Sequence, residues 1–420
     1  MSDGESLEFK EGMVTAMQKN ILPEEARAIL YGLPSAPKTE CVRLIDALGR
    51  VLAEDVVAEV PIPPFDRSPY DGYAIRAEDT DGASRETPIT LQITEEIPAG
   101  AVPTVEITPG FAAKILTGAP IPRGANATVK FEVTEFTDTE VRLFSETKPF
   151  SDYVYAGSDV AVGTIIARSG DVITPPMMGL LASEGRENVS VFRSPSIAII
   201  NTGSELQEPG TPLEAAKIYN SSVFTLTGYL RQFGAVVQNC GVVRDDAAEI
   251  AERIRIALAD NDLVITTGGA SVGDYDFALG ASEELGAQIA FWKVKMRPGG
   301  ALAASLCGEK AVLALSGSPG AAVLQILLIA SPYIKKLCGR TDCGLEPFEL
   351  RLKKPFAKSA ARVRLLRGSM ELAGGEAYFI ENGVQGGGDI SSFCGNEVLA
   401  EIPAGSEGVA AGTLVRAYRI

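Results

Sequence analysis

Asp262-Leu-Val-Ile-Thr-Thr-Gly-Gly-Ala-Ser-Val-Gly-Asp-Tyr-Asp276 joins a short apolar run to a turn crowded with glycine, hydroxyl and carboxylate groups. Leu263 to Ile265 reads as a buried strand. Thr266, Thr267, Gly268, Gly269, Ser271 and Gly273 follow, and then Asp274 and Asp276. Glycine admits positive φ and lets a ligand approach the main chain. Hydroxyls and free backbone N–H groups suit an anion, and the two carboxylates suit a hard cation. Open α/β sheets bind phosphorylated ligands at strand ends of this kind.

Working outward, apolar strands alternate with amphipathic helices between residues 195 and 335. Strands are expected at Ile197 to Ile200, Ala235 to Asn239, Leu263 to Thr266, Ile289 to Val294, Ala301 to Ser305 and Ala311 to Leu315. Helices are expected at Ser221 to Phe233, Asp246 to Ala259, Ala278 to Leu285 and from Gly320 onward. The alternation predicts a doubly wound parallel sheet. Three of its strand ends carry Gly/Ser/Thr turns: Ile200-Asn-Thr-Gly-Ser-Glu205, the opening stretch, and Leu315-Ser-Gly-Ser-Pro-Gly320. Together they predict one ligand-binding rim, to which Glu205, Asp245, Asp274 and Asp276 would bring carboxylates. Asp246 reads as a helix N-cap.

The flanks differ. Residues 22–53 read as two helices: Leu22-Pro-Glu-Glu25 opens the first, and Leu44, Ala47, Leu48, Val51 and Leu52 stripe the second. Pro61, Pro63, Pro64 and Pro69 then force an extended segment. Short alternating runs make residues 74–148 β-rich (Ile89 to Ile93, Ala112 to Leu116, Thr128 to Val133, Val141 to Phe144). Residues 149–193 are mixed, with a strand at Thr164 to Ala167 and a helix at Pro176 to Ser183. Residues 346–420 return to short strands and Gly-rich turns, as in a small β-barrel or sandwich.

Composition narrows the chemistry. The 420 residues carry 46% apolar content and a net charge of −16. That charge opposes nonspecific binding to nucleic acid or to anionic membrane, and an anionic substrate needs a local basic pocket. The chain contains no histidine, which excludes Ser-His-Asp and Cys-His catalysis and His-ligated zinc. Six cysteines (41, 240, 307, 338, 343 and 394) form no CxxC pair and read as reduced, mostly buried thiols of a cytoplasmic protein. Met1 to Lys10 is acidic, unlike a signal peptide. The most apolar run, Ala321 to Ala330, is expected to be a buried helix stopped by Ser331-Pro332 rather than a membrane span.

Two further segments carry chemistry. Pro64-Phe-Asp-Arg-Ser-Pro-Tyr-Asp-Gly-Tyr73 is a stiff loop that either presents Asp71 to a ligand or uses it to cap local backbone. Arg351 to Arg367 holds seven Lys/Arg and no Asp/Glu, either as a solvated strand face or as a positive wall for a phosphate or oxyanion. Lys293, Lys295 and Arg297 form a second basic cluster before Pro298-Gly-Gly300.

From Leu22 to the C-terminus these segments resemble the molybdopterin molybdenumtransferase family (the MoeA type, which includes the E domain of gephyrin). The matching pieces include Ala47-Leu-Gly-Arg-Val-Leu-Ala-Glu-Asp55, Asp71-Gly-Tyr-Ala74, Leu116-Thr-Gly-Ala-Pro-Ile-Pro122 and Asn201-Thr-Gly-Ser-Glu-Leu206. Ile218-Tyr-Asn-Ser221, Arg244-Asp-Asp246, Thr267-Gly-Gly-Ala-Ser-Val-Gly-Asp274 and Phe291-Trp-Lys293 continue the match.

The resemblance implies a homodimer of elongated subunits with four regions. These are a mixed elongated domain from 1–64 and 149–193, a β-rich inserted domain over 65–148, a doubly wound MoaB/Mog-like α/β domain over 194–345 that binds molybdopterin, and a C-terminal β-barrel over 346–420. It implies insertion of molybdenum from molybdate into adenylylated molybdopterin, with Mg²⁺ and release of AMP. It further implies a molybdopterin adenylyltransferase and molybdoenzymes as partners, and neither nucleic acid nor membrane.

By position, the resemblance makes Asp71, Thr117, Asp159, Glu205, Asp245 and Asp276 the acidic and hydroxyl site residues, with Glu205, Asp245 and Asp276 toward the metal. Thr267, Gly268, Gly269, Ser271, Gly273 and Asp274 would hold the pterin, and Ser316, Gly317 and Ser318 would join them. Lys293, Arg297, Arg362, Arg367, Ser391 and Ser392 would form the oxyanion side. Departures accompany the match. The family's Lys-Pro-Gly-Lys turn is Arg297-Pro-Gly-Gly300 here, its Pro-Gly-Asn-Pro turn is Ser316-Gly-Ser-Pro319, and its Arg-rich Gly-Glu-Asp segment is Tyr155-Ala-Gly-Ser-Asp159. Arginine keeps the charge of lysine but not its compact ammonium. Glycine at 300 removes a cation, so Gly300→Lys is expected to tighten oxyanion binding. The alternatives are a tungstate insertase, or a cofactor carrier or scaffold that has lost insertion. A plain nucleotide-binding protein is disfavoured, because no Walker-type lysine follows a glycine loop.

Overall fold

The computed structural model describes residues 18–268 and 277–420. Strand residues pointing alternately to opposite faces explain the central unit. Ile197 and Ile199 enter one core with Leu226, Leu230 and Leu324, while Ala198 and Ile200 enter another with Ile250, Ile254 and Ala281. Leu263 and Ile265 divide from Val264 in the same way. Both faces are therefore covered, as a doubly wound sheet requires. Among the described residues its strand order is Gln18–Ile21, Gln288–Val294, Ala303–Cys307, Lys310–Leu315, Leu263–Thr267, Ser196–Thr202, Val236–Val243. Only Ala303–Cys307 runs antiparallel to its neighbours, so the C-terminal ends of the others open onto one rim.

The helices follow the sequence reading: Ser222–Gln232, Ala247–Asp260 and Phe277–Glu284. Asp246 caps the second of them, its carboxylate accepting from Glu249 N at 2.9 Å.

Several expectations need correction. The apolar helix is not stopped by Ser331-Pro332; it continues from Pro319–Gln325 through a π turn, Ile326–Ala330, into Ser331–Leu337. Pro332 has no N–H to donate and crowds the carbonyl of Leu328, four residues back. The π turn absorbs the misfit, and Arg27 Nη1 donates to the Leu328 oxygen at 3.1 Å. By length and composition this helix could cross a membrane, but 89% of its apolar window is buried inside the protein.

The second expected helix near residue 48 is a single 3₁₀ turn, Leu44–Asp46. Gly49 takes φ +75° and donates its N–H to Ile173 O, and Val51 and Leu52 bridge Val172 and Val191 in extended form. Leu48, assigned to the apolar stripe, is 58% exposed. Cross-chain pairing has overridden a short helical pattern. The cysteines are the third: Cys338 and Cys343 alone are buried, Cys41 and Cys394 are exposed, and all six are free.

Residues 18–33 were expected with the mixed domain. They lie on the α/β core instead: Gln18–Ile21 adds a parallel strand to Gln288–Val294, and Ala26, Leu30 and Leu33 are fully packed there. The remaining mixed region pairs Thr39–Arg43 with Asn188–Phe192 and Val56–Val57 with Ile165–Ala167, beside the helix Pro175–Ser183. The inserted unit is a six-stranded sheet ordered Ala127–Lys130, Gly72–Ile75, Phe111–Ile115, Ile89–Ile97, Glu140–Leu143, Thr134–Phe136. The strand expected to reach Val133 ends at Lys130, and Phe131–Val133 is a 3₁₀ turn.

The C-terminal unit is a closed barrel rather than a sandwich. The long strand Val363–Ala373 pairs through its later half with Glu376–Glu381 and through its earlier half with Val398–Ile402. Phe348–Leu352 and Leu414–Arg419 complete the ring. The long strand can serve two neighbours because Gly368 lets the sheets meet at its centre; a Cβ there would lie 2.0 Å from Ile380 O. The barrel joins the α/β unit through parallel pairing of Met296–Arg297 with Val363 and Arg364.

Candidate functional site

The three glycine turns converge as expected. Asn201 lies beside Thr267, and Thr267 beside Leu315, in register. Gly268 sits at φ +91°, and a Cβ there would lie 2.3 Å from Thr202 O and 2.6 Å from Thr202 Oγ1. A Cβ on Gly317 would lie 3.1 Å from Gly268 Cα. The rim is thus lined closely by main chain, with the Thr202 hydroxyl buried and without a hydrogen-bond partner among the described residues. Beneath it, Asn201 Nδ2 donates to Thr267 Oγ1 at 2.6 Å, and Asn220 Nδ2 donates to Asn201 Oδ1 at 3.1 Å and to Glu208 Oε1 at 2.9 Å. Asn201 and Asn220 carry the resemblance in sequence, yet their part in a buried polar network appears only in the fold.

Two carboxylates reach the rim. The Glu205 carboxylate folds over Gly203, its oxygens 2.7 and 2.8 Å from where a Cβ would stand. Asp245 is exposed two residues beyond Val243, which is in register with Thr202. Gly269, Ser271, Gly273, Asp274 and Asp276 lie outside the described residues. Among the described residues no cluster of three or more cation ligands forms.

Facing these turns is the basic side. Lys293 adopts φ +68° and stacks its ammonium 3.9 Å over the Trp292 ring. Arg297 and Pro298 line a cleft of about 530 Å³ with the barrel residues Lys358, Arg364, Gly386 and Gly387. At Gly300, a Cβ would meet Met296 O at 3.0 Å, Val294 O at 3.1 Å and Arg362 Nη1 at 3.4 Å. The Arg362 guanidinium therefore covers the face of Gly300. The geometry argues against a gain from Gly300→Lys: a new side chain would press on two carbonyls and bring a second cation against Arg362.

The basic run splits between its two readings. Arg351 and Lys353 are solvated partners of Glu376 and Glu371, whereas Lys358, Arg362 and Arg364 turn toward the cleft or Gly300. Arg367 does neither. It is fully buried, donates from Nη2 to Gly386 O at 3.0 Å, and has no partner for Nε or Nη1 among the described residues. Burial pushes its pKa down. It reaches the cleft only through the glycine loop it holds. Ser392 is likewise buried, bonded to Asp389 O at 2.6 Å, while Ser391 is exposed. Ser316 donates its N–H to Gln325 Oε1 at 2.9 Å, Ser318 donates its N–H to Ser316 Oγ at 3.3 Å, and Gly317 and Ser318 are exposed.

A separate pair lies on the inserted unit. Thr117 donates both its N–H and its hydroxyl to Asp71 Oδ1, each at 2.7 Å. These bonds, backbone first, hold the Asp71 carboxyl below its usual range. Both residues are exposed, as is Asp159, and neither Asp71 nor Thr117 hydrogen-bonds to the rim. Because the folded value is depressed, the pair's stabilisation is complete above the unfolded carboxyl value and is lost as pH falls through the folded one. Asp71→Asn is therefore expected to flatten the acid limb of the denaturation midpoint, measured in urea between about pH 5 and about pH 2. A parent and a variant that lose stability in parallel would exclude this account.

Comparison with known proteins agrees with the geometry. Residues 21–185 match the MoeA N-terminal region (domains I and II), residues 198–336 a "probable molybdopterin binding domain", and residues 349–420 the MoeA C-terminal region (domain IV). A molybdopterin molybdenumtransferase of Staphylococcus epidermidis is 36% identical over 374 residues, 89% of each chain, and one of Staphylococcus aureus is 33% identical over 407 residues, 96% of each. The molybdopterin biosynthesis MoeA protein of Pyrococcus horikoshii superposes with a TM-score of 0.81 at 32% identity, covering 96% of this chain and 100% of its own. The chain belongs to the MoeA-type molybdopterin molybdenumtransferase family.

Proposed function

We propose that this protein inserts molybdenum from molybdate into adenylylated molybdopterin, with Mg²⁺, and releases AMP. The observation that carries the reading is the juxtaposition of a main-chain-lined rim with a basic cleft closed by a second unit. The rim, at Thr202, Gly268 and Gly317, suits the phosphate of a pterin, whose anhydride to AMP must be broken. The cleft, with Arg297, Lys358, Arg364 and Arg362 at Gly300, suits a tetrahedral dianion. In a chain of charge −16, such a local excess of cations offsets the overall field where an oxyanion must enter.

Glu205 and Asp245 fit Mg²⁺ in donor type, since both are exposed carboxylates outside any ion pair of the described residues. This ion usually takes one or two carboxylates and fills its shell with water and substrate phosphate. When bound, it would supply positive charge to the phosphoanhydride. Glu205 and Asp245 would hold it, with Asp276 as a further ligand, while the glycine turns orient the phosphate and the basic cleft holds molybdate against the dithiolene.

The Asp71–Thr117 pair stands on a different unit from the rim, which supports a homodimer whose cleft is completed by the second subunit. An adenylyltransferase would supply the substrate and molybdoenzymes would receive the product in the cytoplasm. A carrier that binds but does not insert is the second reading, favoured by the glycine at position 300. The deciding measurement is AMP release from adenylylated molybdopterin with molybdate or tungstate. Release that requires molybdate is expected; release only with tungstate reassigns the metal, and binding without release leaves the carrier.

A further inference from the structure

Gln325 is the one polar residue in the run Ala321 to Ala330, and it is fully buried. Its amide joins two segments that are remote in sequence. Nε2 donates to Gly299 O and Ala301 O, both at 2.7 Å, and Oε1 accepts from Ser316 N at 2.9 Å. Both amide hydrogens and one acceptor position are thus used. The contact is close as well as polar: a Cβ on Gly299 would lie 3.3 Å from Gln325 Cγ and 3.4 Å from Ala321 O. The first segment is the basic turn carrying Arg297 and Gly300, and the second is the Ser316-Gly-Ser-Pro319 turn at the rim.

The helix bearing Gln325 is buried from Gly320 onward, and the π turn at Ile326–Ala330 begins immediately after this residue. The turns themselves are exposed at Arg297, Gly317 and Ser318. Three backbone groups, one buried and two half-buried, are therefore satisfied by one side chain whose helix is packed in the core.

We infer that Gln325 is a positioning residue that fixes the basic turn against the rim turn and so sets the distance between bound oxyanion and bound pterin. The inference rests on the insertion reading above. A misplacement of about 1 Å between reacting groups costs on the order of a hundredfold in rate, so loss of the tether acts on the step that brings molybdate to the bound pterin.

The test compares the parent with Gln325→Met, which keeps the shape and removes all three bonds, and with Gln325→Glu, which keeps an acceptor for Ser316. Molybdate-dependent AMP release is measured together with amide exchange at Ser316 and across 297–301. In Gln325→Met the KM for molybdate is expected to rise about tenfold or more and kcat to fall. The Ser316 amide should exchange faster, and Gln325→Glu should lie between. A folded Met variant with unchanged KM for molybdate and unchanged exchange overturns the proposal. If the Met variant does not fold, the Glu variant decides by the same two readouts. A parent that releases no AMP defeats the insertion reading alone. Exchange at Ser316 and 297–301 then decides the tether: faster exchange supports it, and identical exchange overturns it.

Discussion

Gly268→Ala is expected to lose roughly 3–5 kcal/mol of stability, because its new methyl group has nowhere to go. The residue sits at φ +91°, and the nearest atoms to its would-be Cβ are the carbonyl oxygen of Thr202 at 2.3 Å and the Thr202 hydroxyl at 2.6 Å. Thr202 belongs to a central strand paired on both sides, so it cannot yield without breaking the sheet. On the other side, Gly317 packs against the Gly268 Cα. Gly286→Ala is the control: it also has positive φ, +63°, but nothing within 4 Å, so only the backbone term of about 1 kcal/mol applies. Urea denaturation of both variants separates the two costs. Equal losses would mean that the close approach of the two turns contributes nothing, and that conformational strain alone explains the glycine.

Arg362→Ala is expected to lower kcat/KM for molybdate about a hundredfold while leaving the fold intact, the size of effect seen when one preorganised charge-stabilising donor is removed. The residue is exposed, so truncation leaves no cavity. Its guanidinium lies 3.4 Å from the Cβ position of Gly300, where it supplies the positive charge that glycine cannot. The pair makes a second, sharper comparison. Gly300→Lys alone should not improve molybdate affinity, since the lysine would stand against Arg362 and two carbonyls. Combined with Arg362→Ala it should recover part of the lost affinity, because a cation then stands again at position 300. Kinetics over a molybdate titration, repeated at low and high ionic strength, provides the check. If Gly300→Lys alone tightens binding and Arg362→Ala changes nothing, the cation is provided elsewhere.

The central strands and the helices of the α/β unit were legible because the central strands bury both faces and the helices one. Ile197 to Ile200 and Leu263 to Ile265 read as buried strands and are so, and Asp246 announced its own cap. The glycine turns were legible too, since Gly268 and Gly317 stand where a parallel sheet exposes main chain at its rim. Segments whose conformation depends on distant partners were not legible. Residues 44–52 carry a helical stripe, but pairing with Val172 and Val191 draws them straight. Pro332 looks like a stop, but Arg27 satisfies the carbonyl it frees.

The site follows the same division. Sequence determined which residue types were available: a chain without histidine, glycine turns at three strand ends, and a basic run near residue 360. Only the tertiary structure decided which of those cations serve the cleft. It buried Arg367, spent Arg351 and Lys353 on ion pairs, and brought Arg362 over Gly300. It also turned Gln325 from an oddity in an apolar run into a link between two loops. The reason is physical: burial and hydrogen-bond partners across a gap of tens of residues depend on closure of the whole sheet and barrel, and no local pattern encodes them.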